Sequence, residues 1–122
     1  MTQRATRCKR IYETPGPDDG LRILVERLWP RGVRKSDAAI DRWMKEIAPS
    51  PALRQWFAHD PAHWDEFRRR YGDELSTSIG PVGELLQLMA TADVTLVHAA
   101  RDEPGNSAQV LRDYLLTRFD GA

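Results

Sequence analysis

Two short segments carry residue types suited to binding charge. They are Arg27-Leu28-Trp29-Pro30-Arg31-Gly32 and Arg101-Asp102-Glu103-Pro104-Gly105-Asn106. The guanidinium groups of Arg27, Arg31 and Arg101 can grip a phosphate or carboxylate through paired N–H donors, and Trp29 can wall such a site or stack on a flat ligand. Gly32 permits a tight turn or a close backbone approach. Asn106 suits a helix cap as well as a ligand contact. Asp102 and His59 are the candidate groups for moving a proton. Each has a structural alternative: a carboxylate beside an arginine more often fixes its own loop, and His59 can close one helix where Asp60 opens the next. Three arginines brought together repel one another, so they require an anion or acidic partners.

These segments matter only if strands hold them side by side. Residues 21–27 and 94–100 read as core strands, because Ile23-Leu24-Val25 and most of the second run are consecutively apolar. Strands covered on both faces have that composition, which is the habit of parallel sheets. Residues 7–12 suit a third strand, closed by the turn-rich stretch Thr14-Pro15-Gly16-Pro17-Asp18-Asp19-Gly20. A helical crossover between parallel strands brings both loops out at the same sheet edge, where α/β folds place ligands. Convergence of the two loops into one cleft is therefore expected.

Between the core strands the chain reads as helical. Ser50-Pro51 and Asp60-Pro61 each place a capping side chain before a proline at the first helical position. Leu53, Trp56 and Phe57 give one apolar stripe; Trp64, Phe67, Tyr71 and Leu75 give another, with Asp65–Arg69 and Glu66–Arg70 as outer pairs. Gly80-Pro81 opens a helix carrying Val82, Leu85, Leu86 and Met89. Ile40, Trp43, Met44 and Ile47 predict a further helix over 36–47. The last helix begins near Asn106, with Gln109 three residues on in a capping-box arrangement. The expected fold is a single α/β domain over residues 1–122, of three layers, with a short, mainly parallel sheet and four or five helices.

Composition narrows the function. At 122 residues the chain can remove about two thirds of its unfolded surface from water without staples. Lys plus Arg and Asp plus Glu are 18 each, so nucleic acid is not favoured by any global field. The single cysteine, Cys8, forms no internal disulfide and reads as a small buried residue, not a nucleophile. No run approaches the ~20 apolar residues of a membrane span. With no signal-peptide pattern at the start, a cytoplasmic location is expected. His59 and His63 straddle Pro61 without an HExxH pattern, so no metal is expected, and no GxGxxG or Walker lysine calls for a dinucleotide or NTP cofactor. Glu74 is a candidate partner for one arginine.

The segments Arg27 to Gly32, Glu46-Ile-Ala-Pro-Ser50, Leu53-Arg-Gln-Trp-Phe57 with His59-Asp60-Pro61, Phe67 to Leu75, and Ala100 to Asn106 resemble the DUF488 family, the YeaO-like group of small bacterial proteins. The resemblance covers nearly the whole chain. It implies a compact α/β fold and no particular reaction. Family members more often carry Lys at the position of Arg101 and Tyr at that of His98. The first difference keeps the charge; the second argues against His98 as a required base. The favoured expectation is a small enzyme for an anionic ligand, phosphate-, carboxylate- or nucleotide-like, held in an Arg/Trp-lined cleft. The alternatives are a noncatalytic ligand- or nucleic-acid-binding module and a structural protein that acts through oligomers.

Overall fold

The computed structural model describes residues 5–58, 60–101 and 106–120. Its centre is one sheet of four strands, β1 (Thr6–Arg10), β2 (Leu21–Leu24), β3 (Arg42–Trp43) and β4 (Val94–His98). The strands run parallel in the order β1-β4-β2-β3. All five residues of β4 are buried, the polar Thr95 and His98 included, as suits a strand with neighbours on both edges. The α-helices are α1 (Lys35–Ala38), α2 (Pro51–Phe57), α3 (Trp64–Thr77), α4 (Ile79–Thr91) and α5 (Ser107–Asp120). The expected α/β fold is thus observed, with every strand pair parallel.

Successive residues of each strand face opposite ways, and the core divides accordingly. Ile23, Val25, Val94 and Leu96 join Leu53, Phe67, Tyr71, Leu85 and Leu111 in one cluster. Leu24 and Val97 join Ile11 and Ala38 in the other, against which Trp29, Val33, Ile40 and Trp43 pack. Ile23 and Leu96 are wholly buried, each stabilising the fold by about 1.5–3 kcal/mol relative to exposure. The strands end earlier than 7–12, 21–27 and 94–100 suggest. One ladder bond continues past each end, Ile11 N–H to His98 O and Val25 N–H to Val97 O, before the chains diverge into the loops.

The expected helix over 36–47 is not formed. The chain makes the single turn α1, then the two residues of β3, then a 3-10 turn at Lys45–Ile47. Ile40 and Trp43 pack into the second cluster while Met44 and Ile47 enter the first, so residues of helical spacing serve opposite faces of the sheet. Ala39 closes α1 in the left-handed conformation, φ 52°. The buried Arg22 holds the turn there, its guanidinium donating to the carbonyls of Ala38 and Ala39 and pairing with Asp19 at 2.6 Å. Lys9 reaches the same carboxylate at 3.1 Å. Gly20 must lack a side chain: at φ 64° an added Cβ would lie 2.2 Å from the Asp93 carbonyl oxygen.

Ser50 and Asn106 cap α2 and α5 as the sequence predicts, whereas Asp60 caps a 3-10 turn at Pro61–His63 that leads into α3, and α4 begins at Ile79, one residue before Gly80-Pro81. Ser50 Oγ accepts from Leu53 N–H at 3.2 Å and Asp60 Oδ1 from Ala62 N–H at 3.0 Å. Asn106 Oδ1 accepts from Gln109 N–H at 2.9 Å at the start of α5. On α3, Glu66 pairs with both Arg69 and Arg70, whereas Asp65 faces Arg68 instead of Arg69.

Candidate functional site

The C-terminal ends of all four strands share one edge of the sheet. A pocket of about 170 Å³ opens there, lined by Glu26, Pro49, Arg54, Phe57, Phe67, Ala99, Ala100, Asn106 and Ser107. At ~30 Å³ per water it has room for five or six waters or a compact polar molecule. Its apolar side is the stacked pair Phe57 and Phe67, with ring centroids 4.3 Å apart. Its polar lining combines three features. Arg54 is exposed on α2 and makes no hydrogen bond or ion pair through its side chain among the described residues. Asn106 and Ser107 begin α5, whose first N–H groups and dipole favour negative charge. Glu26 Oε1 accepts from Ala99 N–H at 3.1 Å, leaving Oε2 without a protein donor among the described residues.

Chain order explains how these groups meet. Glu26 follows β2 and Ala99 follows β4, neighbouring parallel strands whose ends must coincide. Arg54 lies one turn into α2, held against the edge by a bond network. Glu74 on α3 accepts from Ser50 N–H at 2.9 Å and Ser50 Oγ–H at 2.6 Å, and buried Tyr71 donates to Ile47 O at 2.7 Å. Burial, with the Glu74 and Glu26 carboxylates nearby, pushes the Tyr71 phenol far above its ordinary value. Tyr71 therefore acts as a fixed donor.

Of the residues singled out from sequence, Asn106 lines this pocket. Arg27 stands behind it, donating to the Ala48 carbonyl at 3.2 Å and, more weakly, to that of Pro49 at 3.4 Å. Trp29 faces the other cluster: its Nε1 donates to Val33 O at 2.7 Å, and its ring meets Trp43 edge-on at 5.5 Å. Arg31 and Arg101 are exposed and line neither this pocket nor one another's surroundings in any contact described. Gly32 has φ 76°, the left-handed turn for which glycine is suited. Asp102 and His59 lie outside the described residues. Glu74 is engaged by Ser50 and not by an arginine.

Sequence reasoning did not single out Glu26, Arg54 or Phe57 as site residues. Arg54 carried the one available signal, a cation just after a proline-capped helix start at the sheet edge. His98, next to the site, is fully buried; its Nδ1 accepts from Ala100 N–H at 3.2 Å, and Nε2 has no partner among the described residues. Burial holds the imidazole below its ordinary pKa, against the nearby Glu26 and Glu13 carboxylates and with Arg10. A wider, more open groove of about 950 Å³ lies between α3 and α5, but its Arg68 and Arg69 are engaged by Asp65 and Glu66. Among the described residues no group of three His, Cys, Asp or Glu is placed to hold a metal ion. No helix among them is long and apolar enough to cross a membrane.

A family model described as "Inactive DUF488-N3 subclade" matches residues 5–122. An uncharacterized protein of Mycobacterium tuberculosis is 44% identical over 115 residues, covering 94% of this chain and 97% of that one. The counterpart in Mycobacterium bovis matches to the same extent. The uncharacterized protein YeaO of Escherichia coli is 41% identical over 108 residues, covering 88% of this chain and 94% of its own. No solved structure matches. The chain belongs to the DUF488 family, among its YeaO-like small bacterial proteins.

Proposed function

We propose that this protein is a noncatalytic binding module that holds a compact anionic molecule in the pocket at the C-terminal edge of its sheet. The observation that carries this reading is Arg54, an uncommitted guanidinium lining the same pocket as the start of α5. Two independent sources of positive potential on one small concavity select an anion. Glu26 would repel a simple anion, so the preferred ligand also carries a hydroxyl or amine to donate to Oε2. A hydroxylated phosphate or carboxylate meets both demands. The Phe57–Phe67 floor contacts its carbon skeleton.

Binding without turnover is favoured by the family description, whose word is "Inactive". It is also favoured by the described lining: among those residues Glu26 and Arg54 are the titratable side chains, Glu26 is tied to Ala99, and arginine does not exchange its proton near neutral pH. Thermal-shift measurements with inorganic phosphate, glycerol phosphate and hydroxycarboxylates test the reading. The wild type should be stabilised by one of them, by about 2.7 kcal/mol at a hundredfold excess over Kd, and Arg54→Ala should lose the shift while keeping its own midpoint. Equal shifts in both proteins, or turnover of the bound compound, would contradict it.

A further inference from the structure

The same sheet edge carries a second feature that shares no side chain with the pocket. Three aromatic rings follow three of the strands. Tyr12 comes after β1, Trp29 after β2, and Trp43 ends β3. Each has a cation over its ring: Arg10 Cζ lies 5.2 Å from the Tyr12 centroid, Lys35 Nζ 5.6 Å from Trp29 and Lys45 Nζ 4.4 Å from Trp43. The row is tied together. Tyr12 Oη approaches Arg31 O at 3.4 Å, Trp29 and Trp43 meet edge-on, and Trp43 Nε1 donates to Glu26 O at 2.6 Å. Tyr12 is half exposed, and a cavity of about 230 Å³ opens against Trp29, Trp43 and Lys35.

Charge is concentrated here. Residues 31–45 hold five cationic and two acidic side chains, in a chain whose formal net charge is zero. The nearby carboxylates are partly committed, Asp41 to Arg22 N–H at 2.8 Å and Glu13 to Arg10 N–H at 3.0 Å. From β1 to β3 there are three inter-strand steps of ~4.8 Å, so the row extends about 14 Å.

We propose that this row of aromatic rings and paired cations binds single-stranded nucleic acid. Unpaired bases, whatever their sequence, would stack on the half-exposed Tyr12 and on the sides of Trp29 and Trp43 turned away from the core, taking the places over the rings that Arg10, Lys35 and Lys45 now hold as those cations move out to the flanking phosphates. An acidic polypeptide would match the cations and leave the rings unused. A duplex, its bases already stacked, would use the cations alone.

Fluorescence anisotropy of a labelled oligothymidine with the full chain at low salt tests this directly. Binding is expected, weakening with salt at a slope of about −2 in log–log form, as three phosphate contacts on a single strand require. The exposed double substitution Lys35→Glu/Lys45→Glu should weaken binding about tenfold or more, and Tyr12→Ala about fivefold or more, with unchanged circular dichroism. Tyr12 lies outside both core clusters, so its variant remains informative if the lysine pair perturbs folding. No anisotropy change at low salt, tighter binding of the corresponding duplex, full displacement by polyglutamate at equal charge, or equal affinity in wild type and Tyr12→Ala would each overturn the proposal.

Discussion

Glu26 joins the two central strands where they leave the sheet: its Oε1 accepts the Ala99 N–H at 3.1 Å while its main-chain oxygen takes Trp43 Nε1–H at 2.6 Å. One residue therefore ties the ends of β2, β4 and β3 together beside the pocket. Glu26→Ala should cost about 1.5–3 kcal/mol in urea unfolding, the worth of a bond to a charged acceptor. Glu26→Gln keeps an acceptor and should cost less than half of that. Equal losses would show that charge, not the bond to Ala99, is what matters.

Asp19 and Arg22 supply the largest expected single loss. Both are buried, and removing the acid leaves a guanidinium without its partner. Asp19→Asn should destabilise the protein by about 3–5 kcal/mol, measured by chemical denaturation. Burial alone would raise the Asp19 pKa, but the Gly16 N–H, Lys9 and Arg22 outweigh it and hold the group below its ordinary value. A depressed carboxylate contributes stability that is present above the unfolded pKa near 3.9 and is lost as pH falls through the folded one. The wild type should therefore lose stability below about pH 4, and the Asn variant should show a smaller fall there.

His98 governs a separate window. Its folded pKa lies below the unfolded value of about 6.5, so the unfolded chain takes up the proton first. Stability should be full above that pH and should decline as pH drops below it toward the folded pKa. Protonation also places a hydrogen on Nδ1, opposite the Ala100 N–H that it now accepts. Thermal midpoints between about pH 7.5 and 5 should fall in the wild type and flatten in His98→Phe around the unfolded pKa. A variant with the wild-type slope would assign the acid sensitivity elsewhere.

Arg27 tests whether the first basic segment positions the site or binds at it. Its bonds run to the carbonyls of Ala48 and Pro49, just before α2. Arg27→Ala should cost about 1.5–3 kcal/mol of stability and weaken ligand binding only through the placement of Arg54. A stable variant that has lost binding entirely would instead put Arg27 in the site.

Much of this architecture is written in local sequence. Ile23-Leu24-Val25 and Val94 to Val97 announce strands buried on both faces, and Ser50, Asp60 and Asn106 cap the elements they precede. β3 was hidden because Ile40, Trp43, Met44 and Ile47 repeat at helical spacing although they serve two faces of a sheet edge. Spacing carries no record of which face a residue meets. The site was legible as a place, the C-terminal edge, but not as a set of side chains. Arg27 stood out as a free cation because its carbonyl partners lie 21 and 22 residues away, and Arg54 looked like an ordinary exposed helix residue for the same reason in reverse.

Amide chemical shifts of isotope-labelled protein, followed during titration with glycerol phosphate, report occupancy of the pocket residue by residue. Saturable shifts are expected at Ala99, Ala100, Asn106 and Ser107, the backbone around the pocket, with their loss in Arg54→Ala. Shifts confined to Arg31 and Gly32, or the same shifts in the Arg54 variant, would contradict binding at this pocket.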